Sequence, residues 1–209
     1  MEHVGCAFTD ADTTDLNAHS GGSCSPHYGA TWPRHGVVPL QAAVITDENR
    51  ARAGAANAIY YASGLPANTE QHIEADFHVK SVAGVETNIL ARMNTSGTLD
   101  CYSGGYNVAT GLWILAKIVA SVSTTLQSSA ATLTVGATYR VRLEVRNNVK
   151  QLFVDGVLRC TSADNAITAA GRAGVFLSGT IANTTGIHLD NFSARTIPVT
   201  QRQLCGVGL

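Results

Sequence analysis

Two acidic side chains at alternate positions of one short segment could perform acid–base chemistry. Over residues 71–80, QHIEADFHVK, apolar and polar residues alternate, which predicts a strand with one buried and one solvated face. Glu74 and Asp76 share the solvated face of that strand. Two carboxyl groups about 5–5.5 Å apart can hydrolyse a glycosidic bond with retention of configuration. The same pattern is typical of an ordinary solvated strand face, so both interpretations stay open.

Serine and histidine motifs do not support other catalytic classes. The sequence contains no Gly-x-Ser-x-Gly motif, and Ser103-Gly104-Gly105 is predicted to be a turn. No two histidines have the His-Glu-x-x-His spacing of a zinc site. His78 and His188 are predicted to be surface residues on strands. The N-terminal histidines could bind a metal or could simply occupy a solvated loop; they are His3, His19, His27 and His35.

Aromatic residues are the candidates for a sugar-binding surface. Protein sites for sugars combine an aromatic platform with polar groups at its rim. Aromatic residues make up 6% of the chain, so a core must compete with any platform for them. The candidates for glycan binding are Tyr60, Tyr102, Tyr106 and Trp113.

The segment Thr138–Cys160 indicates the scaffold that would position these side chains. From Tyr139 to Arg146, apolar residues alternate with arginine or glutamate, as in a strand with one wet face. Asn147-Asn148 and Asp155-Gly156 are dipeptides that favour tight hairpins. The segment therefore predicts three consecutive antiparallel strands.

Short strands separated by turn residues are predicted along the rest of the chain, and sustained helical periodicity is absent. This pattern predicts an all-β, antiparallel two-sheet sandwich. Trp32 is predicted to be buried beneath a long N-terminal loop. Besides the strands of Thr138–Cys160, the predicted strands are Val4–Thr9, Val37–Ile45, Arg50–Gly54, Ala58–Ala62, Gln71–Lys80, Asn88–Met93, Leu99–Val108, Gly111–Ala120, Ser121–Ser129, Gly171–Gly179 and Gly186–Thr196.

Composition excludes several classes of function. The formal net charge is −1, and no basic patch typical of nucleic-acid binding is evident. No run approaches the roughly 18 apolar residues of a membrane span. The N-terminus lacks the basic and apolar regions of a signal peptide, so we expect synthesis in a cytoplasm, followed by retention there or by release through lysis or assembly into a virion. Five widely spaced cysteines without a Cys-x-x-Cys motif are expected to be free thiols, with Cys101 and Cys160 in the core.

Charged residues make up 14% of the chain, against roughly 25% in typical domains, which suits a surface partly covered by other subunits as well as an ordinary weakly charged surface. We expect one domain over residues 1–196. Residues 197–209 form an extension that could be either a frayed tail or an arm that docks on a neighbouring subunit. The candidate interface residues are Pro198 and Leu204 in this extension, and Arg140, Arg142 and Arg146 on the predicted meander.

The chain resembles the concanavalin A-like, laminin-G-like jelly-roll superfamily. The matching segments cover most of residues 4–196 and read IEADFHV (73–79), GLWILAKIVASVSTTL (111–126), TYRVRLEVRNNVKQLFVDGVLR (138–159), ITAAGRAGVFLSG (167–179) and GIHLDNFSA (186–194). The resemblance implies a jelly-roll sandwich. Domains of this kind occur in glycan-binding proteins, in glucanases and in virion proteins of tailed bacteriophages.

The resemblance sharpens the functional alternatives. Glucanases of the superfamily use Glu-x-Asp-x-x-Glu on one strand; Glu74 and Asp76 match it, but Val79 replaces the third carboxylate. Related domains bind calcium through loop carboxylates, for which Asp10, Asp12 and Asp190 are candidates, although turn capping is the commoner explanation for such aspartates.

Together these features lead us to expect a non-enzymatic structural protein of a bacteriophage-like virion. It would be a capsid decoration or tail-associated protein that forms homo-oligomers and binds other virion subunits without a cofactor. The alternative is a lectin-like adhesion module that binds surface glycans. A glycoside hydrolase is the third candidate.

Overall fold

A computed structural model describes residues 3–6, 8, 15–18, 31–36, 43–46, 48–54, 57–64 and 67–197. The described residues form fourteen strands and one short 3₁₀ turn at Leu16–Ala18. Among these residues, no helix has the length and apolarity that crossing a bilayer would require.

The strands follow the predicted order closely, but the turn predicted at Ser103-Gly104-Gly105 is wrong, because these residues lie within a strand. Their bounds are β1 His3–Cys6, β2 Ala43–Ile45, β3 Ala51–Ala53, β4 Ala58–Tyr61, β5 Gln71–Val79, β6 Glu86–Met93, β7 Cys101–Asn107, β8 Leu112–Val119, β9 Val122–Ala130, β10 Thr138–Arg146, β11 Val149–Val154, β12 Val157–Ser162, β13 Arg172–Ser178 and β14 Ile187–Thr196.

These strands form two antiparallel sheets packed face to face. The eight-stranded sheet has the order β12-β11-β10-β5-β14-β3-β2, with β1 also paired to β14. The six-stranded sheet has the order β4-β13-β6-β7-β8-β9. This arrangement confirms the all-β jelly-roll sandwich. The division of the chain at residue 196 stays a prediction, because residues 198–209 lie outside the described part.

The meander of β10, β11 and β12 forms as predicted, because its turn residues adopt the left-handed conformations that tight hairpins need. Asn147 has φ 40°, and Asp155 and Gly156 have φ 50° and 78°. β10 then pairs with β5 from Thr138 opposite His78 to Val145 opposite Gln71. The predicted stretch is thus joined to the strand that carries Glu74 and Asp76.

The core lies between the two sheets and contains the apolar face of each long strand. Trp113 is at its centre, with ring centroids 5.0 Å from Tyr106, 5.9 Å from Tyr139 and 6.3 Å from Phe77. Trp32 is fully buried at the other side of the core, with its ring 4.9 Å from Phe192, which confirms its predicted burial.

Of the five cysteines, the described part of the chain shows the state of Cys101 and Cys160, which are buried free thiols as predicted. Burial raises the pKa of both thiols, so they stay protonated at neutral pH.

Candidate functional site

A groove of about 660 Å³ runs along the outer face of the six-stranded sheet, and we call it the sheet groove. Because side chains alternate along a strand, one face of this sheet supplies the core and the other supplies the groove. Cross-strand registers place Phe176 opposite Ile59 and Asn88, and Gly105 opposite Asn88 and Ile114. The groove therefore follows rows of side chains that cross the sheet from β4 to β9.

The floor of the sheet groove is a second apolar cluster outside the main core. Ile59, Leu90 and Ile118 are buried in it, and the half-buried rings of Tyr61 and Phe176 pack against it. Phe176 itself lines the groove and keeps part of its ring accessible. A half-buried aromatic ring on a rigid strand is a suitable surface for the apolar face of a sugar ring.

A polar cluster lies at one end of the sheet groove. The Asn107 side-chain amide donates to Glu86 Oε1, and the Asn88 amide donates to Glu86 Oε2 at 3.2 Å. Gly105 makes room for this cluster, since a Cβ there would lie 2.3 Å from Asn88 Oδ1 and 2.1 Å from the Thr87 carbonyl oxygen. These contacts hold the Glu86 carboxylate in place on the sheet.

The far wall of the sheet groove, on β9, presents hydroxyl groups: Ser123, Thr125 and Ser128 line it. Among the described residues that line the groove, Glu86 is the one with an ionisable side chain. The groove therefore combines one aromatic ring, one carboxylate, several amides and a row of hydroxyls. This set can form hydrogen bonds with a neutral polyhydroxylated ligand, whereas the single negative charge opposes an anionic ligand.

The predicted aromatic platform is wrong. Tyr60, Tyr102, Tyr106 and Trp113 are each at most 2% exposed and lie in the core between the sheets. The three tyrosine hydroxyls also have partners inside the protein: that of Tyr60 donates to Asp15 Oδ1 at 3.1 Å, that of Tyr102 to Asp164 Oδ1 at 2.9 Å and that of Tyr106 to the Ala131 carbonyl at 3.0 Å. The core takes the large rings because each buries more apolar area than any aliphatic side chain.

The acidic pair of β5 lies on the outer face of the eight-stranded sheet, where Arg140 bridges it. Arg140 Nη2 is 3.0 Å from Glu74 Oε2, and Nη1 is 3.0 Å from Asp76 Oδ1. Burial alone would raise the pKa of Glu74, but Arg140 and His72 hold that pKa below its ordinary value. Arg140 thus pairs with both carboxylates, and the lowered pKa keeps Glu74 ionised at neutral pH, which suits a structural role better than general acid catalysis.

The arginine-bearing face of β10 carries its own counter-charges. Arg146 Nη2 is 2.9 Å from Glu144 Oε2, and Arg142 Nε is 3.3 Å from Glu144 Oε1. The Arg142 guanidinium also lies 3.9 Å from the centroid of the Phe153 ring. The role of Arg140, Arg142 and Arg146 at an interface stays a prediction, and Pro198 and Leu204 lie outside the described residues.

The metal-ion candidates are only partly described. Asp10 and Asp12 lie outside the described residues, and Asp190 is half-buried, with burial raising its pKa. In the described part of the chain, no three histidine, cysteine, aspartate or glutamate side chains are grouped to hold a metal ion.

The predicted surface position of His188 is wrong. Its side chain is fully buried, and Nε2 lies 2.9 Å from the Thr185 carbonyl oxygen. Burial lowers the pKa of His188, so the ring is neutral and donates an N–H to the carbonyl. His78 is half-buried on β5, next to the Thr138 hydroxyl.

Comparison with known proteins shows the fold. No family model and no curated protein matches the sequence. The carbohydrate binding module CBM66 from Bacillus subtilis superposes with a TM-score of 0.64 at 13% identity, over 79% of this chain and 95% of that one. The β-glucanase of Bacillus licheniformis superposes with a TM-score of 0.55 at 8% identity, over 91% of this chain and 100% of that one. Domain 4 of AbnA superposes with a TM-score of 0.50 at 10% identity, over 89% of this chain and 81% of that one. AbnA is a GH43 extracellular arabinanase from Geobacillus stearothermophilus, and its domain 4 was solved with arabinotriose.

The residues of the sheet groove were not among the sequence candidates, although their signal was present. Phe176 stands between Val175 and Leu177, so alternation places it on the face opposite those two core residues. Glu86 and Asn88 likewise flank the buried Thr87, so alternation places both on the face opposite Thr87. The signal in the sequence is thus a set of aromatic and polar residues out of phase with the core residues of β6 and β13.

Proposed function

We propose that this chain is a non-catalytic carbohydrate-binding domain that holds a neutral glycan in the sheet groove. The observation that carries the proposal is the composition of the groove: the accessible Phe176 ring lies in the same cavity as the Glu86 carboxylate cluster and the hydroxyls of β9. The volume of about 660 Å³ lies within the range typical of small-molecule sites.

Each part of the groove has a role in this proposal. The apolar face of one sugar ring packs on Phe176, which removes apolar surface of both partners from water. Hydroxyl groups of the sugar donate to Glu86, whose orientation is fixed by Asn88 and Asn107. A charge-assisted hydrogen bond of this kind is worth roughly 1.5–3 kcal/mol. The uncharged remainder of the lining favours neutral glycans over uronates.

The known structures with this fold support a sugar ligand at the level of architecture. CBM66 is a carbohydrate binding module, and domain 4 of AbnA was solved with arabinotriose. A shared fold does not by itself transfer a ligand, because one fold hosts many sites. Sugar binding by this chain is therefore inferred from the groove residues, and the two carbohydrate-binding structures support it through their shared architecture.

We do not propose hydrolysis, because Glu86 and the pair of Glu74 and Asp76 lie on the outer faces of different sheets. Glycoside hydrolysis uses two carboxyl groups on either side of the scissile bond. Glu86 is the one carboxylate among the described groove residues, while Glu74 and Asp76 lie on the outer face of the other sheet and bind Arg140. We therefore propose binding without turnover.

A glycan array followed by isothermal titration calorimetry with the best neutral oligosaccharide tests the proposal. Phe176→Ala should weaken binding roughly tenfold, since an aromatic contact is worth about 1 kcal/mol or more. Phe153→Ala is the matched control, because Phe153 is also half-buried on an outer sheet face but lies on the opposite sheet. Equal affinities for the two variants, or an array without any neutral glycan bound, would refute the proposal.

The virion role, the homo-oligomer and the virion location stay predictions that follow from the sequence features and the resemblance together. Sedimentation of the purified chain, alone and with candidate capsid or tail subunits, tests them separately from sugar binding. A glycan-binding domain on a virion surface would satisfy both sets of predictions.

A further inference from the structure

A second pocket, of about 430 Å³, opens at one end of the sandwich, and we call it the end pocket. It lies where the turn between β10 and β11 meets the connection from β12 to β13. The described residues that line it are all polar, and one is a cation: Thr69, Arg92, Asn147, Asn148, Asn165 and Thr168. A lining of amides, hydroxyls and one guanidinium differs from the sheet groove in both polarity and charge.

The backbone is shaped to place Arg92 in this pocket. Arg92 has φ 51°, a left-handed conformation that costs a non-glycine residue about 1 kcal/mol or more. Gly171 permits the close approach, since a Cβ there would lie 2.2 Å from the Arg92 carbonyl carbon. The Gln71 side chain accepts from Arg92 N at 2.7 Å and donates to the Gly171 carbonyl at 2.7 Å. The contacts of Gly171 and Gln71 therefore stabilise a strained backbone conformation that places the Arg92 side chain in the end pocket.

The Arg92 guanidinium is held rigidly but keeps donors for a ligand. The residue is 3% exposed, and its side chain donates to the carbonyls of Thr69 (2.7 Å), Ile167 (2.6 Å) and Asn147 (3.2 Å). A guanidinium has five N–H donors, so these three bonds leave two. Its geometry matches a carboxylate, which can accept from two N–H groups at once.

The charged side chains around Arg92, together with Arg92 itself, carry a net positive charge. Lys150 is fully buried, with Nζ 4.8 Å from the centroid of the Tyr102 ring, and it donates to the Asn147 carbonyl. Glu70 accepts from Asn147 N at 2.8 Å, and Asp164 binds Lys117 Nζ at 2.6 Å. Among the residues that the structure describes, the cluster thus holds three cations (Arg92, Lys117, Lys150) and two carboxylates (Glu70, Asp164). A bound anion would balance it.

We propose that the end pocket binds a small polyhydroxylated carboxylate, that is, a sugar acid. The carboxylate accepts from Arg92, and the sugar hydroxyls bond to the amides and hydroxyls of Asn147, Asn148, Asn165 and Thr168. The pocket is larger than an inorganic anion needs, and its remaining polar groups suit a polyol. This site is independent of the sheet groove, whose charge has the opposite sign.

Titration calorimetry of the full chain with glucuronate, glucose and inorganic phosphate tests the assignment. We expect glucuronate to bind at least tenfold more tightly than either of the others. With the sheet groove weakened by Phe176→Ala, stronger or equal binding of glucose would overturn the role of Arg92, and equal binding of phosphate would overturn the polyol part. Comparing free glucuronate with a trisaccharide that ends in glucuronate distinguishes a small metabolite from the end of a glycan chain.

Two variants keep the test independent of folding defects. Asn165→Asp adds a negative charge at an exposed position on the pocket rim and should weaken glucuronate binding roughly tenfold, whereas Asn165→Ala should weaken it less. Arg92→Lys keeps the charge but loses the planar fork, and it should abolish most binding if its melting temperature is retained. Phe153→Ala is the control, since Phe153 lines neither the end pocket nor the sheet groove. Unchanged affinity in Asn165→Asp would refute the site.

Discussion

The buried amine of Lys150 offers the sharpest test of the charge cluster at the end of the sandwich. Burial first, and then the neighbouring Arg92, lower the pKa of Lys150 from 10.5 to about 8. One pKa unit corresponds to about 1.4 kcal/mol, so the charged amine costs the folded protein about 3 kcal/mol at neutral pH. Lys150→Met removes this cost and keeps most of the side chain's volume.

The sign of the pH dependence follows from proton counting. Between about pH 8 and 10.5 the unfolded chain holds the Lys150 proton while the folded protein has released it. Stability therefore rises with pH across this window for the native protein, and Lys150→Met lacks that contribution. We expect the variant to be more stable than the native protein at about pH 6.5 and to lose about 2 kcal/mol of that advantage by about pH 9.5.

Urea denaturation of both proteins at several pH values measures this difference. The contributions of tyrosine and thiol ionisation to the pH dependence cancel in this comparison, because both proteins contain the same tyrosines and cysteines. Lys80→Met is a matched control for replacing a lysine by methionine, since Lys80 lies at a partly exposed position beside Glu48. A stability difference for Lys150→Met that does not change with pH would refute the idea that a buried charge is stored there.

Three further predictions concern the groove, the acidic pair and the core. Gly105→Ala should lower the free energy of unfolding by roughly 1–3 kcal/mol, because its Cβ would collide with the Thr87 carbonyl, while Gly36→Ala, with open space around it, should be nearly neutral in the same urea titration. Arg140→Gln should raise the pKa of Glu74 in an NMR titration, and an unchanged pKa would contradict the bridge. Trp113→Ala should cost roughly 3–5 kcal/mol in calorimetric or urea unfolding, and a small cost would contradict its central position in the core.

The strand order could be predicted because most strands of this chain have unlike faces. In β5 and β10 one face is apolar and the other charged, so both their presence and their core-facing residues followed from alternation. The hairpin between β8 and β9 has a less visible signal. Its turn residues, Ala120 and Ser121, both have positive φ, which is uncommon for residues other than glycine and asparagine. Their turn was therefore predicted only as a boundary between two runs.

The sheet groove was harder to predict, because alternation does not identify the core-facing side of a strand that is apolar on both faces. β8 is apolar on both faces, with Trp113 and Leu115 towards the core and Ile114 and Ile118 towards the groove. Alternation separates two faces but cannot tell which of two apolar faces packs on the other sheet. Large rings are as consistent with a binding surface as with a core, so the aromatic candidates were placed on the wrong side.

The end pocket was invisible to strand patterns, because its residues come from distant parts of the chain. Arg92 lies on β6, whereas Asn147 and Asn165 lie in two later connections. What the sequence shows at Arg92 is an arginine near the end of a strand, a common arrangement. The distinguishing features are its left-handed φ and the contact with Gly171, and both depend on the bulged pairing of β6 with β13.

The distribution of charge separates the two candidate sites more clearly than their shapes do. The sheet groove holds a single carboxylate, and the end pocket backs onto a cluster with an unbalanced positive charge. An uncharged sugar in the groove should bind with little dependence on salt, since it exchanges no net charge with the protein. A sugar acid at the nearly buried Arg92 should lose some affinity as salt rises, but less than an exposed ion pair would, because buried pairs are screened weakly. Parallel titrations at low and high salt therefore distinguish the two sites without any substitution, and an identical salt response at both would contradict their assignment to ligands of different charge.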